Sequence, residues 1–230
     1  MFKYLIESHN KREDRKEYKL YGVPVQVINK YPDNIKISNI LSIVKTKLPP
    51  AFLNGLEIIY IGDFPELNDR EIQAMLKDDA IWLSSNNIKN FLTEPLIAES
   101  IIHEIAHLVE ERWKDFIYED GAIQSEYDGK KQRLVDLLRG EGESVFSDLF
   151  FKDEYLSELD AFLYKTVGYD KLSLIASDLF LSPYSVTTIR EYFADGFQAF
   201  FSPDRRYLKE ISPLLYARIQ NLVKEINNEY

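Results

Sequence analysis

Apolar residues change their period once along this chain. Up to about residue 92 they come in short alternating runs, and beyond Thr93 they recur every three or four positions. YGVPVQVIN (21–29) alternates and is rich in Val, which predicts a strand, with Pro24 favouring an edge. LEIIYIGD (56–63) and AIWLSS (80–85) predict two more, the last ending at the turn-like Asn86–Asn87. Between the first two, Ser38 is placed to cap a helix, NILSIVKTKL, that stops at Pro49–Pro50. Residues 7–19 are densely charged and predict a solvated helix or a mobile arm. The later pattern predicts helices over 94–111, 126–139, 153–166, 170–180, 187–201 and 212–227. Breaks fall at Asp128–Gly129, Gly140–Gly142, Gly168, Pro183 and Pro203. A small mixed sheet followed by helices is an α+β fold: one domain over 1–230, with an α/β lobe (1–92) and a helical lobe (93–230).

The helix over 94–111 is apolar around most of its circumference. Thr93 can cap it, Glu94 suits the positive end of its dipole, and Pro95 is tolerated in the first turn. Ile97, Ile101, Ile105 and Leu108 form one apolar stripe, and Ala98, Ile102, Ala106 and Val109 a second beside it. What remains is a narrow polar stripe of Ser100, His103, Glu104, His107 and Glu111. A helix of this kind is buried, and its polar stripe needs partners.

Composition narrows what that stripe can do. A formal net charge of −10 removes the basic surface that a nucleic-acid or anionic-membrane binder needs. The absence of cysteine excludes disulfides, thiol nucleophiles and Cys-ligated metals. No run is long enough for a signal-peptide core or a membrane span, which predicts a cytoplasmic protein or one released without a visible signal. Oligomeric state is left open.

His103 and His107 are four residues apart, so they share a helix face about 6 Å apart along the axis. With Glu104 between them this is the H-E-x-x-H arrangement, in which two imidazoles hold Zn²⁺ and the Glu acts as general base on a water. The alternative is a core helix with two hydrogen-bonded histidines. Both lie in the one frame that suits a metal, in a chain with only 3 His, which favours the metal. A catalytic zinc wants a third protein ligand. His9 lies in the charged N-terminal stretch, and Glu110 and Trp113 stand where the metzincin extension needs Gly and His, so a carboxylate is expected. Glu191, in TTIREYFADGFQAFFSP, is the first candidate, with Asp195 one turn on as the group that orients a ligating imidazole. The competing role for Glu191 is a capping box with Thr188. Pro183 and Ser185 would let the helix begin earlier and relieve Glu191 of that role. Glu143, Glu141 and Glu154 are further candidates, and Gly196 would let this helix approach a neighbour closely.

With HEIAH and EYFAD in place, the chain resembles the anthrax lethal factor–type zinc metallopeptidases, the group that includes the Pro-Pro endopeptidases. The resemblance covers mainly 93–111 and 183–222, and includes the later pattern Pro213–Leu–Leu–Tyr216–Ala–Arg–Ile219. It implies a zincin-like fold and a gluzincin site, with His103, His107 and Glu191 on zinc and Glu104 as base. It also implies that Tyr184, seven residues before Glu191, donates a hydrogen bond to the tetrahedral oxyanion, and that Asp195 supports the ligands. The 112–183 stretch is longer than that family's connection and is expected to hold an insertion. E-x-x-A-D-x-F from Glu191 is also similar to the repressor-cleaving peptidases of phage and mobile elements. The expected activity is a zinc-dependent endopeptidase acting on a peptide or protein. A peptidase-derived binding module without turnover is the alternative, against which stands the retention of both base and ligands. A structural zinc site would normally be closed by four protein ligands.

Overall fold

The computed structural model describes residues 17–69, 72–86, 93–145, 147–152 and 155–229. Among them are a five-stranded mixed sheet and ten α-helices, an α+β arrangement. The chain divides into two compact units inside one long helix, between Leu108 and Val109.

The first unit contains the sheet: β1 (Tyr18–Leu20), β2 (Val23–Val27), β3 (Ile58–Gly62), β4 (Ala74–Lys77) and β5 (Ala80–Ser84), in the order β1-β2-β3-β5-β4. The two inner pairings are parallel and the two outer ones antiparallel. Alternation puts Val25, Ile59, Ile61, Ile81 and Leu83 on a buried face. The other face carries Tyr60 and Trp82, ring centroids 4.5 Å apart, with the Phe64 ring edge-on to Trp82. Helix α1 (Ile37–Lys47) buries Ile37, Ile40, Leu41 and Val44, and a short α2 (Pro65–Asp69) follows β3.

Several expectations change here. Tyr18–Leu20 is a strand paired to β2, not part of a charged arm, while residues 7–16 and His9 lie outside the described residues. Pro24 is on an inner strand rather than an edge. The two-residue turn at Tyr21–Gly22 (φ 52° and 96°) makes Lys19–Pro24 a wide pair, so Pro24's nitrogen faces the β3 side. There the ladder begins only at Val25–Ile59, so no bond is lost. β4 was not legible as a strand, because half of its pattern is set by the edge it occupies. Ser38 lies inside α1, which starts after Lys36, and Lys36 N–H is satisfied by Glu94 Oε1 at 2.7 Å.

Helix α3 runs Glu94–Tyr118, well past residue 111, with non-helical backbone at Trp113. Thr93 Oγ1 accepts the Leu96 N–H at 3.4 Å, a long bond in the capping position. Both apolar stripes are buried, from 0% exposure at Ile97, Ala98, Ile101, Ile105 and Ala106 to 3% at Leu108 and Val109. Each buried Ile contributes roughly 1.5–3 kcal/mol.

The second unit contains α4 (Ala122–Gly140), α5 (Ser147–Phe150), α6 (Ser157–Ala161), α7 (Tyr169–Ile175), α8 (Ile189–Phe200), α9 (Arg205–Ile211) and α10 (Pro213–Glu229). The expected break at Asp128–Gly129 lies inside α4. A mid-helix Gly costs about 1 kcal/mol, which burial of Ile123, Tyr127, Leu134, Val135 and Leu138 outweighs. The helix expected over 153–166 is instead α6 followed by a π-helical turn, Phe162–Val167, ending at Gly168 (φ 81°). Lys130 is 7% exposed and ties the turn after α7 to the junction of α9 and α10, donating to Leu179 O, Ile211 O and Ser212 Oγ at 2.5, 2.7 and 2.7 Å. Burial pulls its pKa down to about 8. Glu126 accepts the Leu214 and Leu215 N–H groups at the start of α10 and the Tyr192 hydroxyl of α8. No helix among the described residues is long and apolar enough to cross a membrane.

Gly196 makes the expected close approach. A Cβ there would lie 2.3 Å from Leu215 Cδ2 on α10. Gly196→Ala should therefore lose about 1–3 kcal/mol to overpacking, partly offset by about 1 kcal/mol of helix propensity. In a Leu215→Ala background the clash is gone and the same change should stabilise. Urea unfolding of the four proteins checks this, and equal effects in both backgrounds would contradict the contact.

Candidate metal centre and its supports

On α3 the imidazoles of His103 and His107 stand edge-to-face, centroids 4.9 Å apart and planes at 84°. Helical spacing alone brings them together. His107 and Glu104 are each 8% exposed. Glu104 Oε2 accepts the Leu76 N–H of β4 at 2.7 Å. β4 is an edge strand joined to β5 by a two-residue turn at Asp78–Asp79 (φ 53° and 54°). Counting from that turn, Met75 pairs through hydrogen bonds with Trp82, so Leu76 points its N–H away from the ladder. The carboxylate thus touches one of the outward donors of the sheet edge.

Glu191 lies in the first turn of α8. Thr188 caps that helix by accepting the Glu191 N–H at 3.1 Å, so the helix begins at Ile189 and not earlier. Half of the expected capping box therefore exists. That half uses the backbone N–H of Glu191. Nitrogen atoms of His103 and His107 and a carboxylate oxygen of Glu191 all lie within 4.8 Å of one another. Among the described residues no other group of His, Cys, Asp and Glu is so arranged.

The other candidate acids are placed elsewhere. Glu143 accepts from Lys171 Nζ at 2.7 Å, Glu141 is exposed at the end of α4, and Glu154 lies outside the described residues. Asp195 Oδ2 accepts from Ser182 and Ser185. Tyr184 opens a 3₁₀ turn, Tyr184–Val186, and is half-buried. No protein-family model, curated protein or solved structure matches the chain.

One feature of the second unit was not anticipated. Glu110 is 6% exposed on α3 and accepts from Tyr118 Oη at 2.8 Å. Its other oxygen is 3.0 Å from Arg190 Nε, a charge contact off the line of a good hydrogen bond. Arg190 also pairs with Glu111. Burial, then Glu110, push the Tyr118 hydroxyl pKa well up. Burial works to lower the Arg190 pKa, but Glu111, Glu110 and Glu191 together raise it. The sequence signal was available: an acid flanking an apolar stripe requires an opposite charge, and a lone Arg directly precedes Glu191. This network ties the first turn of α8 to the C-terminal half of α3.

Arg190→Met should leave the Glu110 carboxylate buried without its cation. Breaking a buried pair costs about 3–5 kcal/mol, reduced here to about 1–3 kcal/mol because the Arg190 side chain is 45% exposed. Adding Glu110→Gln should recover most of the loss. Denaturant unfolding of the single and double variants measures it, and an unstable double variant would mean that Arg190 acts through another partner.

Proposed function

We propose that this chain is a zinc-dependent endopeptidase with a zincin-like site, resembling the lethal factor–type metallopeptidases. The observation that carries the reading is the convergence of two imidazoles and one carboxylate within 4.8 Å, with Glu104 between the two His on the same helix. The donor set fits zinc, which takes imidazole nitrogen and carboxylate oxygen and in catalytic sites keeps a fourth position open. Ligands on one tetrahedral ion are about 3.5 Å apart, so small side-chain rotations close the remaining gap.

His103, His107 and Glu191 would hold the zinc, which would serve as a Lewis acid lowering the pKa of water and polarising a peptide carbonyl. Glu104 takes the proton of the attacking water and returns it to the departing amine. Its contact with the Leu76 N–H supports this assignment, since an extended peptide added to the β4 edge runs beside the base. Tyr184 donates a hydrogen bond to the carbonyl oxygen as negative charge develops there. Arg190, held by Glu110 and Glu111, keeps the start of α8 in register.

Two outcomes are expected. Purified protein should bind one zinc per chain; His103→Ala and Glu191→Ala should lower the zinc content measured by atomic emission, and Glu143→Ala should not. Undiminished zinc in His103→Ala would remove the assignment. Separately, Glu104→Gln should keep zinc and fold, because its amide oxygen still accepts the Leu76 N–H. It should nevertheless lose about 10²–10⁴-fold in turnover on a peptide library. Retained turnover in the zinc-loaded variant would exclude Glu104 as the base.

A further inference from the structure

The turn that carries Tyr184 is held more firmly than a turn of its length requires. Asp195 Oδ2, on α8, accepts hydrogen bonds from Ser182 Oγ and Ser185 Oγ, both at 2.5 Å. With its proton directed to Asp195, Ser182 Oγ accepts the N–H groups of Tyr184 at 3.1 Å and Ser185 at 3.2 Å. On the other side, Tyr184 O accepts from Thr187 N at 3.0 Å and from Thr187 Oγ1 at 2.8 Å. Tyr127 Oη, from α4, donates to Val186 O at 2.8 Å. Ser185, Val186 and Thr187 are 0%, 0% and 4% exposed, whereas Tyr184 itself stays half-buried.

Both backbone groups of Tyr184 are therefore fixed, while the residue as a whole is half-buried. Helix capping does not explain the arrangement, because Thr188 already caps α8. Nor does a simple turn, which needs one or two backbone bonds and no carboxylate. A charged acceptor shared by two hydroxyls is a strong, directional clasp.

We propose that Asp195, through the hydroxyls of Ser182 and Ser185, is a positioning residue that sets the backbone from which Tyr184 reaches the reacting carbonyl. The proposal rests on Tyr184 as oxyanion donor. It assigns Asp195 a task beyond supporting a zinc ligand. A donor that acts only on the tetrahedral state is sensitive to placement, since a displacement of about 1 Å can cost 10²-fold in rate. The clasp should accordingly act on kcat and leave ground-state binding alone.

The test is a double-mutant cycle in the full, zinc-loaded chain, combining Ser182→Ala/Ser185→Ala with Tyr184→Phe. Tyr184→Phe alone should lose about 10²–10³-fold in kcat. The serine pair should lose about 10–10²-fold in kcat with KM and zinc content near wild type. Together they should lose no more than Tyr184→Phe alone, and Ser182→Thr with Ser185→Thr, which keep both hydroxyls, should restore most of the rate. Fully additive losses, or an unchanged rate in the serine variant, would overturn the proposal. Amide hydrogen exchange supplies a readout independent of turnover: Tyr184 and Ser185 N–H should exchange faster once the hydroxyls are removed. Unchanged protection sinks the clasp whether or not the protein is a peptidase. Faster exchange in a chain that cleaves no peptide upholds the clasp and defeats the functional reading alone. Should the serine variant not fold, Asp195→Asn, which keeps an acceptor oxygen but loses the charge, is read by the same two measurements.

Discussion

A helix buried on two faces still carries His103, Glu104, His107, Glu110 and Glu111 on or beside its remaining stripe, and the buried ones, Glu104, His107 and Glu110, have to be compensated away from bulk water. Glu104 has the Leu76 N–H, Glu110 has Tyr118 and Arg190, Glu111 has Arg190, and the imidazoles have each other and the Glu191 carboxylate within ligand reach. Apolar residues of the same size would pack such a helix at no electrostatic cost. A stripe of ionisable groups there costs stability, which is the physical reason to look for chemistry in it. Much of the surrounding arrangement follows from supplying those partners.

Helix α8 shows how densely the supports are packed. Within eight residues Thr188 caps the helix, Arg190 pairs with two acids of α3, Glu191 offers its carboxylate, and Asp195 clasps the preceding turn. The next residue, Gly196, has no room for a side chain because Leu215 and Ile219 of α10 lie against it. α10 is held in turn by Glu126, which also takes the Tyr192 hydroxyl of α8. Such a helix has little freedom to rotate or slide, which is what a carboxylate with a geometric task requires.

The sequence was most legible where local geometry is sufficient. Two His four apart on a helix meet whatever the rest of the fold does, and the apolar stripes of α3 were found buried as their spacing implied. The strands β3 and β5 and most helices of the second half were legible for the same reason. Pro24 on an inner strand and the unforeseen β4 each depend on where a neighbouring element begins or ends, and residue patterns do not carry that, whereas Gly129 stays inside a helix because burial along α4 outweighs its cost. The long helix expected over 153–166 is likewise divided, with α6 passing into a π-helical turn that ends at Gly168.

By itself, then, the sequence determined the α+β class, the burial of the central helix, the pairing of His103 with His107 and the small residue at Gly196. Each of these follows from a period of 3.6 or 2 and from side-chain size. Only the tertiary structure decided which acid stands by the imidazoles, that Thr188 caps α8 through the Glu191 N–H, that Glu110 needs Arg190, and that Asp195 grips Ser182 and Ser185. Those outcomes join residues from 10 to 88 positions apart or depend on the exact start of a helix, and a carboxylate's partner is whichever donor packing brings within about 3 Å.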